Sequence, residues 1–193
     1  MAEQITIAIM AGGESRRMGR DKALLPAEGG ILLEYVARTA AATGLPVIVV
    51  GRTPPEGWSL SAIKFYGDHY PGLGPLGGIA TSLEVTTTDI LALPCDLPLL
   101  TTPAITWLIE GISGRTLDDG LVTENGSQLE PLFSIYRRKT LPALQSRLAA
   151  KRLSILGFLM SAKFEYITAP PEVSIALRNA NTPEEWQQIT KGM

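Results

Sequence analysis

Histidine and cysteine are nearly missing from this chain of 193 residues, which has one of each, His69 and Cys95. A lone cysteine excludes an internal disulfide and any cysteine-rich metal centre. Nothing ties His69 to Cys95, so a cysteine–histidine nucleophile is not indicated. Cys95 reads as a small buried hydrophobe, and His69 as a loop residue. Positive charge is not in excess either. Seventeen Lys and Arg against nineteen Asp and Glu give a formal net charge of −2, which argues against a general nucleic-acid or membrane-surface partner. Long apolar runs are absent as well. The opening MAEQITIAIM has no basic segment before its apolar run, and that run is too short for a signal or membrane helix. The expectation is a soluble, cytoplasmic protein. Repeats, low-complexity tracts and linkers are also lacking. A balance of 45% hydrophobic and 19% charged residues argues against long disorder. The length suits one well-cored domain, residues 1–193, read as two halves, 1–111 and 112–193.

What is present is concentrated between Ile5 and Leu25, ITIAIMAGGESRRMGRDKALL. Ile5 to Met10 is a short apolar run rich in β-branched residues, the pattern of a buried strand. It runs into Ala11-Gly12-Gly13, where the backbone loses its side chains. Ser15, Arg16, Arg17, Arg20 and Lys22 follow, offset only by Glu14 and Asp21. A strand, a glycine turn and clustered cations in that order present backbone N–H groups and positive charge to a phosphate. Glycine serves twice there, tolerating unusual backbone angles and letting an anion approach the main chain. No Gly-Lys-Ser/Thr follows, so this is not a Walker loop, and it does not read G-x-G-x-x-G.

Further along, the periodicity predicts a helix over Ile31–Thr43 with Gly44 ending it, and strands at Pro46–Val50 and Ala62–Tyr66. A short helix at Ile79–Val85 and a strand at Ile90–Pro94 come next. Thr102 is the expected N-cap of a helix running to Gly111, with Pro103 in its first turn. Gly120–Thr123 and Leu132–Tyr136 read as strands around Asn125-Gly126, with a gap longer than a two-residue hairpin. A helix over Lys139–Lys151, a strand at Phe164–Ile167 and a capping box at Thr182-Pro183-Glu184-Glu185 complete the pattern. Apolar strands alternating with helices predict a three-layer α/β/α sandwich with a mostly parallel, Rossmann-like sheet. Ligands of such sheets sit beyond the carboxyl ends of the strands. The glycine loop, Gly51, Asp68 and Asp96 each follow a strand and should cluster there.

Asp96, in Cys95-Asp96-Leu97-Pro98, ends a buried strand and is the best candidate for a metal ligand; a turn cap is the plain alternative. Lys22 offers a compact charge and Arg17 a planar fork for phosphate oxygens, although either alone could be a solvated charge. Asp68 is a candidate polar contact or simply a turn residue. Gly72 to Gly77, GLGPLG, literally matches the dinucleotide fingerprint, but Pro71 and Pro75 are incompatible with its strand–turn–helix context. Gly74-Pro75-Leu76-Gly77-Gly78 reads instead as a rigid loop.

The run Met10-Ala11-Gly12-Gly13-x-Ser15-x-Arg17-Met18-Gly19-x-Asp21-Lys22-Ala23-Leu24 resembles the signature loop of the molybdenum-cofactor nucleotidyltransferases, the MobA-like family. Ala-Gly-Gly, rather than Ala-Ala-Gly, resembles its guanylyltransferase branch. Cys95-Asp96-x-Pro98, Gly74-Pro75-Leu76-x-Gly78, Glu130-Pro131-Leu132-Phe133 and Asn179-x-Asn181-Thr182-Pro183 resemble further family elements, so the likeness spans residues 5–185 with gaps. The resemblance implies transfer of GMP from GTP to the terminal phosphate of molybdenum-molybdopterin, with release of pyrophosphate. It implies Mg²⁺, or Mn²⁺ in its stead, held by Asp96, and catalytic roles for Arg17, Lys22 and Asp96. GTP contacts are implied at Met10, Ala11, Gly12, Gly13, Ser15, Arg17, Lys22, Gly51, Asp68, Gly74, Pro75, Gly77, Gly78 and Asp96. Asp68 would read the guanine edge, and the Gly74–Gly78 loop would cover the base or ribose. Some relatives carry asparagine where Gly51 stands, so only backbone is available there. Asn179 and Asn181 are implied on the pterin side, or are turn and capping residues. The first half would then bind nucleotide and the second the acceptor. Proteins that deliver the cofactor or receive the product are the implied partners, with neither nucleic acid nor membrane. Glu130 and the segment Leu153–Ile175 receive no role. The rivals are a cytidylyltransferase or sugar-nucleotide enzyme, disfavoured by Gly12 and Asp68, and a nucleotide-sensing or cofactor-carrier module without turnover.

Overall fold

A computed structural model of the chain describes residues 5–12, 21–27, 29–179 and 185–186. The strand β1 (Ile5–Met10) is central, because its side chains alternate between two apolar layers. Ile5, Ile7 and Ile9 face one layer and Ala8 the other. A small ladder, β2 (Pro26–Ala27) and β3 (Gly30–Ile31), leads into α1 (Leu32–Ala41). There follow β4 (Val47–Val50), β5 (Lys64–Tyr66), α2 (Pro75–Val85), β6 (Asp89–Pro94) and α3 (Thr102–Glu110). The remainder is β7 (Gly120–Asn125), β8 (Gln128–Tyr136), α4 (Leu141–Ala149), α5 (Ile155–Ser161), β9 (Phe164–Thr168) and α6 (Pro171–Ala176).

The main sheet runs β5-β4-β1-β6-β8-β7-β9, and only β8 is antiparallel to its neighbours. The helices α1, α3 and α6 cover one face, and α2, α4 and α5 the other. This is the predicted α/β/α sandwich with a mostly parallel sheet. No described helix is long and apolar enough to cross a membrane.

Several boundaries differ from expectation, each for a local reason. The helix α2 starts at Pro75, not Ile79, so Pro75 to Gly78 form its first turn rather than a loop. Gly74 makes this possible: it precedes the helix at φ +72°, and proline's fixed φ suits a first helical position. Thr101, not Thr102, caps α3, accepting from the Ala104 N–H at 3.3 Å. The strands β7 and β8 extend to Asn125 and Gln128, leaving Gly126-Ser127 as a two-residue connection.

Pro131 lies within β8, one residue before the expected start at Leu132. The ladder slips between Val122 and Thr123, so Pro131 sits in an irregularity that does not need its N–H. Ser134 Oγ bridges the gap, donating to the Glu130 carbonyl at 2.7 Å and accepting from Thr123 N–H at 3.2 Å. The helices α5 and α6 occupy the segment left without a role. Ser154 caps the first of them by accepting from Gly157 N–H at 3.0 Å. Of the terminal capping box, Thr182, Pro183 and Glu184 lie outside the described residues.

Candidate active site

The four strands β1, β4, β5 and β6 end at one edge of the sheet, and β8 begins there because it runs the other way. The segments leaving those ends frame a cleft of about 930 Å³. Its floor is backbone. Ala11 N–H donates to Val50 O at 2.9 Å, and Gly51 N–H to Tyr66 O at 2.9 Å, which lays the glycines after β1 and β4 against each other. A Cβ on Gly51 would stand 2.5 Å from Gly12 Cα and 2.6 Å from Gly12 N, and Gly51 holds φ at +100°. Gly51 therefore does more than replace an asparagine: its bare backbone lets Gly12 lie where it does.

Two ion pairs cross this floor. Asp21 begins a 3-10 turn at Lys22–Leu24, with Oδ1 accepting from Ala23 N–H at 3.0 Å. That turn aims Lys22 across the cleft, so its Nζ lies 3.4 Å from Asp96 Oδ2. The Lys22 and Asp96 side chains are only 15% and 26% exposed, so their attraction is less screened than on an open surface. Asp21 Oδ2 in turn pairs with Arg52 Nη1 at 3.0 Å.

Asp68 is both a turn residue and a wall of the cleft. Its Oδ1 accepts from Tyr70 N–H at 2.9 Å and from the buried Thr81 hydroxyl at 3.1 Å. Its Oδ2 has no hydrogen-bond partner among the described residues. The following loop is clipped to α2 and α4: His69 Nδ1 is 2.7 Å from Glu84 Oε2, and both Tyr70 OH and Gln145 Nε2 donate to Glu84 Oε1. Burial pushes the Glu84 carboxyl up, but the hydrogen bonds from Tyr70, His69 and Gln145 outweigh it and hold the carboxyl below its ordinary value.

Met10, Ala11, Gly12, Lys22, Gly51, Asp68, Gly74, Pro75, Gly78 and Asp96 thus line one cleft. Gly77 does not line it. A Cβ there would meet Tyr70 O at 2.9 Å, so this glycine lets the Asp68 loop lie on α2. Asn179 is exposed beyond α6 and is not part of the lining. Gly13, Ser15, Arg17 and Asn181 lie outside the described residues. Sequence reasoning missed Arg52 and the cleft-facing role of Asp21. Arg52 is the second residue past the end of β4, as Asp96 is the second past β6, and that shared position was the available signal.

Among the described residues no group of three or more His, Cys, Asp or Glu could hold a metal ion unaided. One partly exposed carboxylate, Asp96, facing open cleft fits a cation that brings most of its oxygen ligands with it on phosphates. Cys95, next to it, is not poised as a nucleophile. Burial, and after it the carboxylates of Asp96 and Asp21, push its thiol up to about 12. Alkylation near pH 8 should run at least roughly a hundredfold slower in the native protein than in urea, where the thiol returns to about 8.5. Cys95 is half-buried at the cleft wall, so equal rates in the two states would contradict the upward shift of its thiol.

Known proteins resemble this chain over nearly its whole length. The model of the family described as "MobA-like NTP transferase domain" matches residues 7–161. A "Probable molybdenum cofactor guanylyltransferase" of Carboxydothermus hydrogenoformans is 30% identical, with 98% of this chain and 96% of the relative aligned. A "Molybdenum cofactor guanylyltransferase" of Vibrio vulnificus is 30% identical over 94% and 92% of the two chains. The crystal structure of molybdopterin-guanine dinucleotide biosynthesis protein A from Archaeoglobus fulgidus shares the fold, with a TM-score of 0.79 over 96% of this chain and 97% of that one at 22% identity. Since the family model takes in most of the sheet and the cleft built on it, the chain belongs to the MobA-like NTP transferase family and is a nucleotidyltransferase.

Proposed function

We propose that this nucleotidyltransferase transfers GMP from GTP to the terminal phosphate of molybdenum-bearing molybdopterin. An oxygen of that phosphate attacks the α-phosphorus of GTP. A new P–O bond forms, the bond to the bridging α–β oxygen breaks, and its electron pair leaves with pyrophosphate. The attacking group is already an anion, so no protein nucleophile or strong base is required. What the chain must supply is alignment and compensation of charge.

The observation that carries this reading is the pair of Lys22 and Asp96, 3.4 Å apart beside the bare backbone of Gly12. Lys22 is suited to follow the phosphates once they arrive, exchanging Asp96 for a phosphate oxygen. Asp96 would hold Mg²⁺, which draws negative charge from the transferring phosphoryl group. Asp68, fixed through Oδ1, has Oδ2 left to accept from guanine N1–H and the exocyclic amine, a donor pair that cytosine lacks. The positive end of α2 opens at Gly74 beside the same cleft. Residues 1–111 would carry the nucleotide side. The acceptor side would fall to 112–193, from which Leu132 reaches the cleft and in which Asn179 and Asn181 stand.

A melting series with Mg²⁺ and each nucleoside triphosphate tests the reading. A ligand at about a hundred times its Kd adds roughly 2.7 kcal/mol, which for a chain of this size raises Tm by about 5–10 °C. GTP should give that shift and CTP little of it, and pyrophosphate should appear only when molybdenum-molybdopterin is added. A larger shift with CTP would indicate the cytidylyl reaction. Binding without pyrophosphate release would indicate a carrier or sensor.

A further inference from the structure

Arg52 has no task in the account above, yet it is built into the cleft. Its side chain is 17% exposed and lines the cavity, one residue beyond the glycine contact that forms the floor. Its Nη1 lies 3.0 Å from Asp21 Oδ2, whereas its Nε is buried with no hydrogen-bond partner among the described residues. An ion pair serving stability alone gains nothing from an orphaned donor. Asp21 is 47% exposed and lines the same cavity immediately before Lys22. Four charges therefore alternate across the floor: Arg52, Asp21, Lys22, Asp96.

We propose that Arg52 is a positioning residue for the triphosphate, one that acts through Asp21 and does not touch the nucleotide. The proposal rests on the nucleotidyl-transfer reading of the cleft. Asp21 is needed as the cap that opens the Lys22 turn, because its Oδ1 holds the Ala23 N–H. The same carboxylate puts a negative charge on the wall of a cavity that must accept a polyanion. Arg52 resolves that conflict in two ways. It offsets the Asp21 charge through the 3.0 Å ion pair, and it docks the turn beside the end of β4. Lys22 is then left as the cation facing the ligand. Arginine suits the task because it stays charged at any working pH and binds a carboxylate in a fixed plane.

The test is a double-mutant cycle on the full chain, with titration of Mg–GTP as the readout. R52M should weaken Mg–GTP binding by between about threefold and a hundredfold, the span of coupled neighbouring charges. D21N keeps an oxygen for the cap and loses the charge that faces the polyanion, so it should bind Mg–GTP more tightly than the parent. D21N/R52M should return to within about threefold of the parent, because the repulsion that Arg52 offsets is gone. The deficit of R52M should also shrink as salt rises from about 0.05 to 0.5 M, as a screened Coulomb effect must. R52K, which keeps the charge, should recover much of the loss and guards against an R52M that folds poorly. The inference is overturned if R52M binds like the parent, or if the double variant is as weak as R52M at every salt concentration. Failure of the parent itself to bind any nucleoside triphosphate would defeat the underlying reading, and this inference with it. That result is distinct because it appears before any substitution is made.

Discussion

Replacing Asp96 with asparagine is expected to lower pyrophosphate release by about 10²–10³-fold while leaving the fold nearly untouched, by analogy with the removal of one group that stabilises transition-state charge. Asparagine keeps the shape and one acceptor oxygen at the end of β6 but removes the charge that would hold Mg²⁺. The stability cost should be small. The Lys22–Asp96 pair is 3.4 Å apart, and asparagine keeps an acceptor for Lys22, so the loss should be about 1–2 kcal/mol. Binding of the nucleotide should survive, since Lys22 loses a competitor for its charge when Asp96 is neutralised. Turnover with saturating GTP and Mg²⁺, measured beside Tm, separates these effects. Parental turnover in the variant would remove Asp96 from the chemistry. A collapse of Tm would show instead that the carboxylate is a structural cap.

The second large effect is expected at Gly51, and it is steric. A Cβ on this residue would lie 2.5 Å from Gly12 Cα, a backbone atom that cannot swing aside as a side-chain end can. The added methyl must also be carried at φ +100°. Overpacking and a strained backbone together cost about 2–4 kcal/mol, or a fall in Tm of roughly 4–16 °C for a chain of this length. Because the atoms displaced are those of Gly12, Gly51→Ala should lose Mg–GTP affinity even below its own Tm. Gly57→Ala is the control: φ is +75° there, but nothing stands within 4 Å of the added Cβ. It should show the backbone penalty alone, about 1–2 kcal/mol, with nucleotide binding intact. Equal effects at the two positions would mean that the contact with Gly12 does not matter.

The parts of this molecule legible in its sequence are those set by short-range chemistry. The alternation of Ile5, Ile7 and Ile9 with Thr6, Ala8 and Met10 marks β1, and glycine or aspartate directly after an apolar strand marks the ligand edge. Gly12, Gly51, Asp68 and Asp96 could be gathered at one edge on that rule, and Lys22 comes with them as a cation of the loop that follows β1. The features that escaped depend on partners distant in sequence. Arg52 looks like a solvated charge after a strand until Asp21 is brought beside it. Thr81 looks like an ordinary helical threonine until its hydroxyl reaches Asp68 and His69. Gly74-Pro75 is equally compatible with a loop and with a helix start, and only the glycine's positive φ decides between them. Pro131 hides the length of β8 because the irregularity that accommodates it is held by Ser134, which a one-dimensional pattern does not connect to it. The order of β8, β7 and β9 beyond β6 likewise follows from packing rather than from any local signal.

The most direct measurement is a crystal structure with Mg²⁺ and a GTP analogue that cannot release pyrophosphate. The account predicts the triphosphate against the Gly12 main chain with Lys22 turned from Asp96 to a phosphate oxygen, Asp96 at the metal, and guanine held by Asp68. A nucleotide bound away from this edge of the sheet, with Lys22 still paired to Asp96, would contradict it.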